Sequence, residues 1–260
     1  MTLALALGNL GLVVALMLAV WLYSLWRRDA SVVDPWWSVG FLLVCAHTVW
    51  QRGPTPGKVL LLALVAVWAV RLWLHLLLRA RGRPEDPRYA ALRERWGPRR
   101  FWWVSLFLVF LLQAALMALI SAPLQLAAAA PPPDPIGPWD LAGALVFACG
   151  FGWEAVADWQ LTRFRRDPAR AGQVLDRGLW RFSRHPNYFG DAVLWFGLWL
   201  CALDRPGGLA TVFAPLLMLV LLLRVSGVTL LDAHLLATRP GYAEYVRRTS
   251  AFFPRPPAEP

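Results

Sequence analysis

The sequence predicts an all-α membrane protein with seven transmembrane helices, an external N-terminus and a cytoplasmic C-terminus. Hydrophobic residues make up 58% of its 260 residues and charged residues only 16%, whereas soluble domains carry about 25% charged residues. The apolar residues form runs long enough to cross a hydrocarbon core of about 30 Å. No run alternates as a strand does, and helices satisfy their own backbone polar groups in lipid.

Seven apolar runs are the predicted spans, and they make one integral membrane domain over 1–260. The first run is predicted to be a span rather than a cleavable signal peptide, because no basic residue precedes it and Arg27 and Arg28 follow it. The second and sixth runs are shorter than the others. The runs cover 3–26, 33–51, 58–78, 101–121, 139–161, 187–203 and 209–231.

The basic residues predict the orientation of these spans. Of the 26 Lys and Arg residues, 21 lie in the loops after spans one, three and five or in the C-terminal tail, and 3 lie in the loops of the other side. Basic loops stay in the cytoplasm, which makes the N-terminus external. Topology therefore explains the net charge of +10, and no nucleic-acid partner is predicted.

Two carboxylates inside the fifth span are the first candidate site. Glu154 and Asp158 are four residues apart and share one helix face, which Arg165 extends toward the cytoplasm. Burying a charged side chain at the centre of a span costs about 3 kcal/mol or more of insertion free energy. A charge that is kept there therefore usually has a function. The pair is interpreted as a ligand contact that accepts hydrogen bonds, and internal pairing with arginines is the alternative.

The segment 178–191, GLWRFSRHPNYFGD, is the most specific stretch in the chain. Pro186 suits the first turn of a helix, which places the residues before it at a positive helix end that attracts an anion such as phosphate. A basic turn that only sets topology is the alternative. Five polar side chains crowd the segment: Arg184, His185, Asn187, Tyr188 and Asp191.

The last span and the tail supply two further candidates. Arg224 ends the seventh run, and the tail 241–254 contains Tyr245 among basic and aromatic residues. A short cytoplasmic helix that closes over a cofactor would use such residues. An interfacial helix lying on anionic lipid is the alternative.

Polar residues of the N-terminal spans indicate a second group. Asp34 lies at the mouth of span two, and Arg71 and His75 share one face of span three. They are interpreted as groups that polarise a carbonyl or transfer a proton, or that pair with each other. His47, deep in span two, is interpreted as an interhelical hydrogen-bonding residue.

Several common chemistries are absent from the sequence. It has no G-x-G-x-x-G fingerprint, no P-loop, no H-E-x-x-H and no G-x-S-x-G elbow. The three cysteines lie singly in apolar runs without metal-ligand spacing, so no metal site is predicted. A dinucleotide would therefore bind between membrane helices.

These residues resemble the bacterial branch of the steroid 5-alpha-reductase family, which is related to isoprenylcysteine methyltransferase-like membrane enzymes. The segment 178–191, the upstream E-x-x-x-D-x-Q and the closing 224–254 carry the resemblance, which is strong over 139–254 and weaker over 30–100. The resemblance implies seven membrane helices and NADPH-dependent reduction of a carbon–carbon double bond conjugated to a carbonyl. It also implies an apolar, 3-oxo-Δ4-steroid-like substrate.

Residue roles are carried over by position. Asp34 matches the family's acid at the substrate carbonyl, with Val33 where eukaryotic members have Gln, and Arg71 or His75 stands in for their tyrosine on span three. The resemblance thus implies Asp34 and Arg71 as catalytic residues and substrate-side helices in 1–100. The resemblance also implies that residues 101–254 form the cofactor-side helices and the cytoplasmic tail helix. The implied NADPH-binding residues are Glu154, Asp158, Arg165, Arg184, His185, Asn187, Tyr188, Asp191, Trp195, Arg224 and Tyr245.

Two other functions stay open. An S-adenosylmethionine-dependent membrane methyltransferase shares the R-H-P-x-Y turn but usually carries a Glu-Glu pair after the last-span arginine, where this chain has VSGVTLLD. A non-catalytic lipid-binding protein would leave the carboxylates of span five unexplained. The expected location is the bacterial inner membrane, with the cofactor site on its cytoplasmic side and membrane lipid as a partner. A monomer is compatible with the sequence.

Overall fold

The computed structural model describes residues 2–225 and 228–258. The chain is all-helical, with 77% of residues in helices and no strand among the described residues. Short 3-10 turns and two π-helical segments, Leu106–Leu111 and Leu221–Val225, join the α-helices. The helices are α1 (Leu3–Arg27), α2 (Trp36–Arg52), α3 (Pro56–Ala80), α4 (Pro87–Trp96), α5 (Pro98–Ser105), α6 (Leu112–Ile120), α7 (Ala122–Ala128), α8 (Pro138–Arg166), α9 (Pro186–Leu200), α10 (Phe213–Val220), α11 (Val228–Thr238) and α12 (Tyr242–Arg248).

Five helical segments of the described chain are long and apolar enough to cross a membrane. They match the first five predicted spans, so the chain is a membrane protein. The regions of the sixth and seventh predicted spans form shorter helices, α9 with 15 residues and the apolar segment Leu209–Arg224. The five segments are Leu3–Arg27, Ala30–Arg52, Pro56–Ala80, Pro98–Ile120 and Pro138–Arg166.

Local sequence signals explain several helix ends. Thr2 caps α1 by accepting a hydrogen bond from the Leu5 amide at 3.4 Å. Arg28 ends the same helix in the left-handed conformation, with a φ of 54°. Proline occupies the first position of α3 and α9, where its missing N–H costs no intrahelical hydrogen bond.

The chain divides into two compact units. The first contains residues 1–140 and 202–214, and the second contains residues 141–201 and 215–260. These units are defined by packing, and they differ from the substrate and cofactor halves expected from the sequence, which remain predictions.

A buried polar cluster joins helices of the first unit. The amide nitrogen of Asn9 donates to Thr48 Oγ1 and to Gln125 Oε1, both at 2.9 Å. Both amide hydrogens of Asn9 are thereby used, so its oxygen accepts from His47 Nδ1 at 2.7 Å. His47 Nε2 is then the acceptor for Gln51 Nε2 at 3.3 Å. The prediction that His47 makes interhelical hydrogen bonds is confirmed.

In the second unit, α8 and α9 touch backbone to backbone at paired glycines. A Cβ on Gly143 would lie 2.6 Å from the Gly197 carbonyl oxygen, and one on Gly197 would lie 2.7 Å from that of Gly143. Gly150 and Gly190 repeat the arrangement at 2.6 and 2.7 Å. Each glycine is seven residues from the next on its own helix, which keeps both contacts on one face. Small residues of this kind let membrane helices approach closely.

We expect Gly150→Ala to destabilise the protein by about 1–3 kcal/mol, because the added methyl group meets backbone atoms that cannot rotate away. The measurement is the thermal unfolding of the detergent-solubilised chain. Gly152→Ala is the matched control, since no atom outside its helix lies within 4 Å of the added Cβ. Equal unfolding temperatures for the two variants would contradict the glycine packing.

Candidate functional site

Asp34 is the centre of a polar cluster in the first unit. A 3-10 turn, Ala30–Val33, precedes it and α2 follows it. The Tyr89 hydroxyl donates to Asp34 Oδ1 at 2.6 Å, and Arg88 Nη2 donates to Asp34 Oδ2 at 2.9 Å. Both partners come from the first turn of α4. The carboxylate is therefore held by one neutral donor and one cation.

The segment before α4 fixes this cluster in place. Glu85 Oε1 accepts a hydrogen bond from the Ala30 amide at 2.7 Å. Arg93 holds Glu85 with two hydrogen bonds, at 2.9 and 2.8 Å, and also donates to the Arg28 carbonyl at 3.3 Å. The predicted basic loop 79–100 is thus an ordered element that closes over the start of α2 and presents Tyr89 to Asp34.

The environment of Tyr89 keeps its phenol protonated. Burial raises the pKa of Tyr89 well above its usual value, and the negative charge of Asp34 raises it further. The pKa of Arg88 is also raised, since its partners Asp86 and Asp34 outweigh the cost of burial. At neutral pH the cluster therefore has a proton on Tyr89 and a positive charge on Arg88.

Tyr89 was not among the residues predicted from the sequence. The sequence has no tyrosine on span three, where Arg71 and His75 are the polar candidates to replace the family's tyrosine. The structure places both half-buried on α3, one turn apart. The signal for Tyr89 lay instead in the segment PEDPRY, where Asp86 caps α4 by accepting from the Arg88 amide at 3.0 Å.

The second unit brings several predicted cofactor residues together. Glu154 and Asp158 are buried on α8, with 3% and 4% of their surface exposed. Asn187, in the first turn of α9, donates its amide to Asp158 Oδ1 at 3.1 Å. Trp195 is fully buried on the same helix as Asn187, and Asp191 lies one turn after Asn187. The glycine contacts described above align these faces of α8 and α9.

The turn Gly178–Arg181 docks onto α8 beside these groups. Gly178 has a φ of +61°, and a Cβ there would lie 2.6 Å from the Gln160 side chain. Gln160 Oε1 accepts from the Leu179 amide at 3.0 Å, and the Trp180 indole donates to the Ala157 carbonyl at 3.1 Å. The turn preceding α9 is therefore held by hydrogen bonds to the C-terminal half of α8.

Asp232 of α11 connects three of the polar residues around this turn and the tail. Arg184 donates to Asp232 Oδ2 through Nε at 3.2 Å and Nη2 at 2.7 Å. His185 Nε2 lies 2.9 Å from Asp232 Oδ1, and the Tyr242 hydroxyl also donates to that oxygen. Burial raises the pKa of Asp232, but hydrogen bonds from His185, Arg184 and Tyr242 outweigh it and hold the pKa well below its usual range.

Two predicted cofactor residues make hydrogen bonds between the C-terminal tail and the turn before α9. Arg184 Nη1 donates to the carbonyls of Val246 at 3.2 Å and Thr249 at 2.7 Å. The Tyr245 hydroxyl donates to the Trp180 carbonyl at 2.5 Å. Arg184 and Tyr245 thus attach α12 to the turn before α9, a role that the sequence did not predict for them.

The remaining predicted residues lie at the edges of the second unit. Arg165 is exposed in the last turn of α8, and Arg224 is exposed near the end of the π-helical segment after α10. Tyr188 stacks on His185, with ring centroids 5.6 Å apart and planes within 6°. Among the described residues no group of three His, Cys, Asp or Glu side chains could hold a metal ion.

The donor set of this unit fits a dinucleotide. Asn187 and Asp158 together offer an amide and a carboxylate, which suit the carboxamide and ribose hydroxyls of a nicotinamide nucleotide. Exposed guanidinium groups such as Arg165 and Arg224 suit its phosphates. The α9 N-terminus adds a positive helix end, as the sequence predicted.

We expect Asp232→Asn to lower stability by about 3–5 kcal/mol, because an amide hydrogen would then face donors and Arg184 would lose its buried partner. Thermal unfolding in detergent measures the loss. Glu244→Gln is the control, since the Glu244–Arg247 pair is exposed and such pairs contribute little. Because the pKa of Asp232 is depressed, its stabilisation persists above the unfolded pKa of about 4 and is lost only in stronger acid. A difference between the variants that vanished at pH 6 would contradict this account.

Comparisons with known proteins identify a family. A family model described as "Protein of unknown function (DUF1295)" matches residues 20–249, so the chain belongs to that family. The family includes steroid 5-alpha-reductase-like membrane proteins. An uncharacterized protein of Schizosaccharomyces pombe is 24% identical over 264 residues, which cover 91% of this chain and 76% of that protein. No solved structure matches the chain.

Proposed function

We propose that this chain belongs to the bacterial branch of the steroid 5-alpha-reductase family and is an NADPH-dependent reductase. It reduces a carbon–carbon double bond conjugated to a carbonyl in an apolar, 3-oxo-Δ4-steroid-like molecule. The observation that carries the proposal is the Asp34–Tyr89–Arg88 cluster, which sets a protonated phenol and a cation on one carboxylate at a span entrance. Membership of the DUF1295 family supports it.

We also propose seven spans, with α9 and the apolar segment Leu209–Arg224 as the sixth and seventh. The N-terminus is then external and the basic loops are cytoplasmic in a bacterial inner membrane. The charge distribution supports this orientation, since 21 of the 26 basic residues lie in the loops assigned to one side. A short sixth helix is compatible with local thinning or helix packing.

NADPH, when bound, supplies a hydride to the β-carbon of the enone. In this proposal Asp158, Asn187 and Glu154 hold the nicotinamide and ribose region, with Asp191 and Trp195 on the same side. Arg165 and Arg224 bind phosphate oxygens. Arg184, His185, Tyr188 and Tyr245 shape the turn and tail around the cofactor, and the first two do so through Asp232.

Tyr89 is the proposed hydrogen-bond donor to the substrate carbonyl. The Tyr89 hydroxyl has one proton to donate, and it forms a hydrogen bond to Asp34. The hydroxyl must therefore rotate away from Asp34 to donate a hydrogen bond to the substrate carbonyl. Asp34 keeps its hydrogen bond from Arg88 during this rotation. That bond limits the free energy lost when Tyr89 no longer donates to the carboxylate. The phenol then stabilises the developing enolate oxygen, with Arg71 as a second candidate group. One proton from water reaches the α-carbon and completes the reduction.

We expect Tyr89→Phe to lower the rate of enone reduction about 10²–10³-fold, because one donor to the developing oxyanion is removed. The assay follows NADPH oxidation with a 3-oxo-Δ4 steroid in detergent micelles. Tyr23→Phe is the matched control, since Tyr23 is 45% exposed on α1. An unchanged rate for Tyr89→Phe would remove the proposed role.

The pH dependence gives a second readout of the same group. A phenol loses its donor proton as the pH rises through its pKa. Because that pKa is raised in Tyr89, we expect no loss of activity from its ionisation below about pH 10. An alkaline limb near pH 8 that disappears in Tyr89→Phe would contradict the raised pKa.

Ligand-induced stabilisation separates the proposed reductase from its alternatives. We expect NADPH to raise the unfolding temperature of the purified chain and Asp158→Ala to abolish that rise, because Asp158 anchors the cofactor. Asp176→Ala is the control, with a side chain 54% exposed in the same unit. NADH in a parallel sample measures the preference between the two cofactors. Stabilisation only by S-adenosylmethionine would favour a methyltransferase, and stabilisation by neither would favour a lipid-binding protein.

A further inference from the structure

We propose that the first unit binds the headgroup of an anionic phospholipid at a surface made by the end of α1 and the start of α5. This site does not depend on the proposed reductase activity. We call it the arginine–tryptophan patch. It contains Trp26, Arg27, Arg28, Arg99, Arg100, Trp102 and Trp103.

Three contacts bring the two helix ends together. The Trp21 indole on α1 donates to the Trp102 carbonyl on α5 at 3.1 Å. Arg93 of α4 contacts the same two helices. Its guanidinium donates to the Arg28 carbonyl at 3.3 Å and lies 4.2 Å from the centre of the Phe101 ring. The chain segments that carry the two arginine pairs, 27–28 and 99–100, therefore lie close together.

The four arginines of the patch are exposed and have no side-chain hydrogen bond or ion pair among the described residues. Two acidic groups near the ends of these helices, Asp29 and Glu85, are already engaged. Asp29 accepts from the amide and hydroxyl of Ser31, and Glu85 pairs with Arg93. The patch therefore concentrates four positive charges that Asp29 and Glu85 do not neutralise. Guanidinium groups bind phosphate oxygens through two parallel hydrogen bonds.

Exposed aromatic rings place this charge at a membrane interface. Trp26 is 76% exposed and Trp103 is 52% exposed, and Trp102 stacks on Trp103 with centroids 3.9 Å apart. Tryptophans with this exposure sit at the headgroup level of a bilayer. One helical turn further into the spans, Leu22 and Phe107 are each 59% exposed and provide apolar surface for an acyl chain.

The combination distinguishes a phospholipid from other phosphate ligands. A soluble phosphate would use the arginines but gain nothing from the exposed indoles and apolar side chains beside them. An anionic phospholipid such as phosphatidylglycerol uses both surfaces at once. A zwitterionic phospholipid offers the same acyl chains, but its choline is repelled by four arginines.

The test is lipid retention by the full chain, measured by native mass spectrometry after purification from nanodiscs of equal parts phosphatidylglycerol and phosphatidylcholine. We expect the wild type to retain phosphatidylglycerol in preference, and R99Q/R100Q to lower that preference at least fivefold. The matched control is R81Q/R83Q, which removes the same charge from two exposed arginines of the same loop. Equal losses in the two double variants, or no preference in the wild type, would overturn the proposal.

A second arm separates lipid from free phosphate and from misfolding. Glycerol 1-phosphate at millimolar concentration is expected to leave the retained phosphatidylglycerol in place, because it lacks acyl chains. Full displacement would reassign the patch to soluble phosphate and contradict the lipid site. Trp103→Ala keeps all four arginines, so a loss of retention in this variant, with an unfolding temperature like that of the wild type, supports the lipid assignment. Unchanged retention in Trp103→Ala would contradict it.

Discussion

The backbone contact between α8 and α9 is the constraint on which the rest of the second unit depends. The glycine pairs Gly143–Gly197 and Gly150–Gly190 carry no Cβ, so the two backbones touch at these points. Membrane helices gain little from the hydrophobic effect when they associate in lipid, so van der Waals packing at close range has to hold them. Only glycine allows the backbones to approach this closely at the four positions, because an added Cβ would lie 2.6 or 2.7 Å from the partner carbonyl oxygen.

This contact also determines which polar groups meet. Because α8 and α9 are held face to face, Asn187 reaches Asp158 across the interface, and the turn before α9 lies against Gln160. The tail is then tied to that turn through Asp232, which accepts hydrogen bonds from an arginine, a histidine and a tyrosine. The buried charges of this unit are therefore balanced by residues far apart in the chain, as the cost of isolated buried charge requires.

The first unit is organised differently, because a loop between two spans supplies the hydrogen-bond donors to its central carboxylate, Asp34. Asp34 receives side-chain hydrogen bonds from Arg88 and Tyr89 of α4, a short helix in the loop between the third and fourth predicted spans. Glu85 and Arg93 hold α4 in place through hydrogen bonds to the segment before Asp34. Charged residues of this loop, such as Glu85 and Arg93, thus stabilise the fold. In the sequence they resemble residues that only set membrane orientation.

By itself, the sequence determined that the protein is helical, where its first five spans lie and which carboxylates lie within a span, because hydropathy and helical spacing are local properties. Glu154 and Asp158 were found in this way, as was the polar turn at 184–191. Only the tertiary structure decided that Tyr89 partners Asp34 and that Arg184 and Tyr245 fasten the tail. Those pairings join residues up to 65 positions apart, and no local pattern encodes them, because they depend on how closely the helices pack.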